Sequence, residues 1–215
     1  EEVASYNSNG EITGDVITTT KVDNLGYGYA GINAITVNVG GEPGSDASKN
    51  LRKGLGTILA AYRDVAIDSY YGEAAVVINY PISNTSWAAP QPTDPDYKIA
   101  FSTDVNGEPI YTAEMTPEEK YAAAEAAALA FFEAAGFTVT DGVLTAAPEG
   151  AKLSYEVIVP GGGTGDHPAF AILTGAKESL AKIGMELVIN DPADSNILWD
   201  ALDSATQELW TAAWG

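Results

Sequence analysis

The chain has 215 residues, 46% of them hydrophobic, which suffices for one large domain or two small ones around a substantial core. Its 30 acidic and 10 basic side chains give a formal charge of −20, which repels phosphate backbones and anionic membrane surfaces and argues against a nucleic-acid role. With no cysteine and one histidine, the chain excludes disulfides, thiolate catalysis, iron–sulfur clusters, cysteine-ligated zinc and any two-histidine metal site of its own.

No apolar run reaches the length of a membrane span, and the opening "EEVASYNSNGEITG" is not a signal peptide. That opening, together with an ending "LWTAAWG" that lacks a polar tail, leads us to expect a piece excised from a longer protein. β-Branched and aromatic residues predict strands over Asp15–Thr20 and across "YGYAGINAITVNV" from Tyr27 to Val39, before "GGEPGSD" breaks the pattern. From about Ser48 to Tyr71 the residues Leu51, Leu55, Ile58, Leu59, Tyr62, Val65 and Ala66 recur at helical spacing, with Gly72 as the stop. Lys49, Arg52, Lys53 and Arg63 on this helix read as a solvated face. Asp64 and Asp68, four residues apart, read as a surface like-charge pair rather than a cation site.

The proline-rich stretch "EAAVVINYPISNTSWAAPQPTDPDY" predicts an irregular loop. Trp87 within it either lines a pocket or plugs the core, and the core is favoured because large aromatics bury well. "KIAFSTDVNGEPIYT" predicts a β-hairpin turning at Asn106-Gly107. "TPEEKYAAAEAAALAFFEAAG" is the clearest helix, with Thr116 as N-cap, Pro117 at the first position, Glu119 closing a capping box and Gly136 at the end. "GFTVTDGVL" continues into a strand or turn, and "AKLSYEVIVP" alternates like a strand.

Three consecutive glycines follow, in "GGGTGDH", and then the single histidine, His167, opens the amphipathic helix "PAFAILTGAKESLAKIG", which stops at Gly184. A glycine turn leading into a helix can hold an anion on unpaired amides, and it can equally be a flexible connection. It lacks the lysine and hydroxyl residue of a phosphate-binding P-loop. Ser154, Thr164 and Ser179 could imitate a nucleophile beside His167, but no G-x-S-x-G elbow surrounds them. "MELVIND" predicts a strand, "SNILWDALDSATQ" a helix capped by Ser195 or Asp194, and "ELWTAAWG" a last strand. This order of elements predicts an α/β layer with parallel neighbours.

The ordered set "NLGYGYAGINA", "LRKGLGTILAAYRDVAID", "YAAAEAAALAFFEAAGFTVTDGVL", "HPAFAILTGAKESLAKIGMELVIND" and "LWTAAWG" resembles the C-terminal lobe of the family 5 extracellular solute-binding proteins. These are the oligopeptide and dipeptide receptors of ABC importers, and the resemblance runs from about Asp15 to the end. It implies a single lobe of a periplasmic-binding-protein type II-like fold over residues 1–215, a mixed sheet flanked by helices, with the ligand held between this lobe and the remaining lobe of the same protein. By the same resemblance His167 lies close to a bound peptide and Trp214 beside it, while an aspartate that receives the peptide amino group would follow Gly215. Gly163, Thr164 and Trp87 complete the expected ligand-binding set, with no catalytic residue, metal or cofactor. The implied partners are a peptide or small solute and an ABC permease, in an extracellular or periplasmic setting, with the receptor anchored to the membrane through a missing N-terminal segment. Two other readings stand beside it: a structural or adhesion module of a surface protein, and a carboxylate-based hydrolase using Asp166 and His167.

Overall fold

The computed structural model describes residues 2–215. In chain order the elements are α1 (Glu2–Tyr6), β1 (Tyr27–Ile32), α2 (Asp46–Ala61), α3 (Arg63–Ala66), α4 (Pro117–Ala134), β2 (Thr138–Thr140), β3 (Val143–Ala146), β4 (Ser154–Ile158), α5 (Ala169–Lys182), β5 (Glu186–Asn190), α6 (Asn196–Asp203) and β6 (Leu209–Trp214). A four-stranded sheet has the order β1-β6-β4-β5, and β2 and β3 form a separate hairpin. β4 runs parallel to both β5 and β6, whereas β1 is antiparallel to β6, so the sheet is mixed.

The core lies between one face of this sheet and the helices. Tyr155 and Val157 of β4, Leu187 of β5 and Leu209 of β6 are buried against Leu51, Leu55 and Ile58 of α2 and Leu173, Ala176 and Leu180 of α5. α4 packs on the far side of α2, where Gly54 leaves room for the Phe132 ring. The α4 capping box is formed as the sequence predicts: the Glu119 amide donates to Thr116 Oγ1 at 3.2 Å, and the Thr116 amide donates to Glu119 Oε2 at 2.8 Å. Asp141 and Gly142 join β2 to β3 with φ of 52° and 78°, the left-handed pair that a tight hairpin requires.

Several expectations change. Asp15–Thr20 is not a strand. It lacks a sheet partner and makes one isolated bridge, Thr13 to Thr18, while the Asn7 side chain gathers the segment through Glu11 O, Ile17 O and the Val16 and Ile17 amides. The strand from Tyr27 ends at Ile32, because Asn33 turns the chain by donating to Ala205 O and Gln207 O. The Ser48–Tyr71 helix is regular only to Ala61 and continues through α3 into a π turn, Ile67–Tyr71, that stops at Gly72 as expected. The 98–112 hairpin reduces to one bridge, Thr103 to Pro109, around a turn held by the Asp104 carboxylate.

Arg63 does not belong to a solvated face: its guanidinium is mostly buried and donates to Ala60 O, Ile78 O, Asn79 Oδ1 and Ala100 O, pinning the proline-rich loop to the helix layer. Trp87 is not in the core. It is 98% exposed, at a turn between Ser86 and Ala89 on that loop.

Candidate ligand-binding site

β4 ends at Ile158, which pairs with Trp210, so β6 runs on past the end of β4 in the same direction to Trp214. The glycine loop leaves β4 at this edge, and Asp191 follows the last residue of parallel strand β5 at the same edge. The glycine loop and Asp191 therefore lie at the C-terminal edge of the parallel strands, the edge past which β6 runs on to Trp214 and where α/β sheets commonly receive ligands.

The glycine loop already holds an anion, and it is the chain's own. The Gly165 amide donates to Asp191 Oδ2 at 3.1 Å, and the Gly161 and Gly163 amides also face this carboxylate without completing a well-aligned bond to Oδ1. A Cβ on Gly161 would lie 2.8 Å from Oδ1, so the close approach requires glycine there. Desolvation is the largest single influence on Asp191 and pushes its pKa up, but the amides of Gly163, Gly165 and Gly161 together with His167 outweigh it and hold the carboxyl below its ordinary range. Thr164 closes the loop on itself, its hydroxyl donating to Gly161 O at 2.8 Å and accepting from the Asp166 amide at 3.2 Å.

His167 sits two residues before α5. Its Nδ1 accepts from the Ala169 amide at 3.2 Å, supplying the cap that Pro168 cannot. Burial lowers its pKa, with Asp191 opposing, so the imidazole is neutral near pH 7. With Nδ1 accepting, Nε2 carries the proton and is a hydrogen-bond donor. Such a group suits a carbonyl oxygen.

Trp214 belongs to an aromatic ribbon. In the β1–β6 register Tyr27 pairs with Trp214, Tyr29 with Ala212 and Gly31 with Trp210, which puts all four aromatic side chains on one face. Trp214 stacks parallel to Tyr29 with centroids 6.3 Å apart, Trp210 meets Tyr29 edge-on, and Trp210 Nε1 donates to the Tyr29 hydroxyl at 3.3 Å. A Cβ on Gly31 would collide with the Trp210 indole, so this glycine seats the ring. Trp214 itself is 62% exposed. The loop carrying Trp87 is tied by the Ser83 and Thr85 hydroxyls to Asn24 O, just before β1, and so lies toward the same end of the ribbon.

Thus the structure brings Gly163, Thr164 and His167 together around Asp191, and sets Trp214 apart with Tyr27, Tyr29 and Trp210 on the neighbouring strands. Asp191, the tyrosines and Trp210 are absent from the sequence-level set. The alternation Tyr27, Tyr29 and Trp210, Ala212, Trp214 was a readable signal; their pairing across the chain was not. A shallow depression of about 430 Å³ beside Ile158 is lined by Glu156, Glu208 and Gln207 and contains neither His167 nor Trp214. Ser179, one of the nucleophile mimics, is buried in a bond to the Tyr62 hydroxyl.

No protein-family model and no curated protein matches the sequence. Solved structures do match its fold. The oligopeptide-binding protein AppA from Bacillus subtilis, in complex with a nonapeptide, aligns with a TM-score of 0.55 and 19% identity, over 88% of this chain and 31% of that one. The murein tripeptide binding protein MppA from Escherichia coli aligns with a TM-score of 0.51 and 15% identity, over 88% and 29% of the two chains. NikA from Brucella suis, in complex with Fe(III)-EDTA, aligns with a TM-score of 0.50 and 10% identity, over 88% and 30%. The chain thus spans under a third of the length of these structures. Over its own length the chain shares the mixed α/β fold of part of these binding proteins, the fold that the ordered motifs lead one to expect.

Proposed function

We propose that this chain is one lobe of the substrate-binding component of an ABC-type importer, a lobe that captures oligopeptides or related solutes in a cleft shared with the remaining lobe and delivers them to a membrane permease. The observation that carries the proposal is the coincidence of this fold with a solvent-facing aromatic ribbon and a neutral histidine donor at the same sheet edge. In this reading His167 Nε2 donates to a backbone carbonyl of the ligand, Trp214 and Tyr29 form an apolar wall, and Gly163 and Thr164 shape the loop that presents His167. Trp87 reaches the ligand only if the second lobe brings the cleft to its loop.

No covalent chemistry is needed. Asp166 is exposed, its amide is bonded to Thr164, and His167 Nδ1 is committed to the helix cap, which is poor geometry for an Asp–His pair. Among the described residues no helix is long and apolar enough to cross a membrane. In this reading the receptor works in an extracellular or periplasmic setting.

One structure that shares this fold, NikA, is in complex with Fe(III)-EDTA, so the reading includes solutes other than peptides. Mass spectrometry of small molecules released from the purified full-length protein tests the reading. Recovered peptides support it; recovery of metal chelates or sugars with no peptide overturns the peptide assignment.

A further inference from the structure

We infer that the ligand group received by the ribbon of Tyr27, Tyr29, Trp210 and Trp214 is cationic: an ammonium or guanidinium on a side chain of the bound peptide. The inference rests on the receptor reading above and adds the charge of its ligand. Aromatic faces carry the negative side of a quadrupole, and an exposed indole stacked on a phenol ring is a platform for a cation.

The surrounding charge agrees. Residues 22–48, 64–97, 153–176 and 183–215, which supply both ribbon strands, the Trp87 loop, the glycine loop and the segment holding Asp191, contain no lysine or arginine. The same segments carry Asp23, Asp94, Asp96, Asp166 and Asp194. Of the lysines bordering these segments in sequence, Lys21 faces Glu73, Lys49 faces Asp46, Lys152 is paired with Glu208 and Lys182 with Glu125, whereas Lys98 and Lys177 make no ion pair among the described residues.

The local anion-binding device is spent as well, since the amides of the glycine loop are directed at Asp191. A neutral His167 offers one hydrogen bond and no charge. An anionic side chain placed at this edge would therefore meet aromatic faces and carboxylates, whereas a lysine or arginine would meet a field of the opposite sign.

The test is calorimetric titration of the full-length protein with tri- to pentapeptides of identical ends that differ only in a central lysine, glutamine or glutamate. The lysine peptides should bind about tenfold tighter than the glutamine ones, with glutamate weakest and the gap narrowing as salt rises. Trp214→Leu and Tyr29→Leu, which keep apolar bulk and remove the ring face, should each lower lysine-peptide affinity several-fold more than glutamine-peptide affinity, so that the lysine preference shrinks. Equal affinities across the series, or a lysine preference that survives both variants, would overturn the inference while leaving the peptide-receptor reading in place. Variants that lower the melting temperature but not the preference would assign the ribbon to contact with another part of the protein, and also overturn it. Absence of binding by any peptide would remove the receptor reading and this inference together.

Discussion

Asp191 occupies the place in the glycine loop that a ligand anion would have taken, and its charge reaches His167. Asp191→Asn keeps the shape of the cradle and removes the influence that raises the His167 pKa, leaving burial unopposed. The His167 pKa should therefore fall further, which a proton NMR titration can follow on the single imidazole of the chain; an unchanged or higher value would contradict the geometry. Both groups have folded-state pKa values below their ordinary ones, so each contributes stability that is present above its unfolded pKa and is lost as pH falls through its folded pKa. His167 begins to act below its ordinary value of 6.5 and Asp191 below 3.8. Melting temperature should accordingly decline in two stages on acidification. His167→Ala should abolish the first stage and, by deleting the acceptor for the Ala169 amide, lower stability at pH 7 by about 1 kcal/mol.

Two helices test what local chemistry contributes. Thr116→Ala removes the side-chain half of the α4 capping box and should lower stability by about 1 kcal/mol, a shift of about 2–4 °C for a domain of this size, without changing ligand affinity in the full-length protein. A large loss of affinity with unaltered melting would instead connect this end of the helix to the site. In α5, Ser179 Oγ lies 2.7 Å from the buried Tyr62 hydroxyl and donates to Glu125 Oε1 at 2.5 Å, and Lys182 reaches the same carboxylate oxygen at 2.9 Å. Ser179→Ala leaves Tyr62 and Glu125 without that partner and should cost about 1–3 kcal/mol in a denaturant melt.

α4 is legible in the sequence through its capping box and terminal glycine, and α5 through its apolar stripe and Gly184, all of them local signals. The β1–β6 pairing is not, since Tyr29 and Ala212 are far apart in the chain and nothing in either segment names the other. Trp87 misleads for a similar reason. Aromatic bulk predicts burial only where the fold leaves space, and the core is filled by Phe132, Tyr155 and the leucines. Arg63 was read from its position on a helix, whereas the loop carbonyls that bury it belong to a segment with no periodicity to read.

At the scale of the molecule, the helices cover one face of the sheet and leave the aromatic ribbon bare. Small-molecule sites commonly bury about 70–90% of the ligand surface. The glycine loop, His167 and the ribbon lie along one open edge and can line only one side of such an enclosure. We therefore expect the isolated 215-residue chain to fold, because its core is closed by its own helices and strands, but to bind peptides only at about millimolar affinity, where the contacts of one wall barely exceed the entropy of association. In the two-lobed receptor proposed above, hinge closure would add a second wall and exclude water, and affinity should rise by at least about a hundredfold. A cooperative melt of the isolated chain, followed by titration of both forms with one peptide, measures this directly. Micromolar binding by the isolated chain would mean that the edge described here is a complete site and that the second wall is unnecessary.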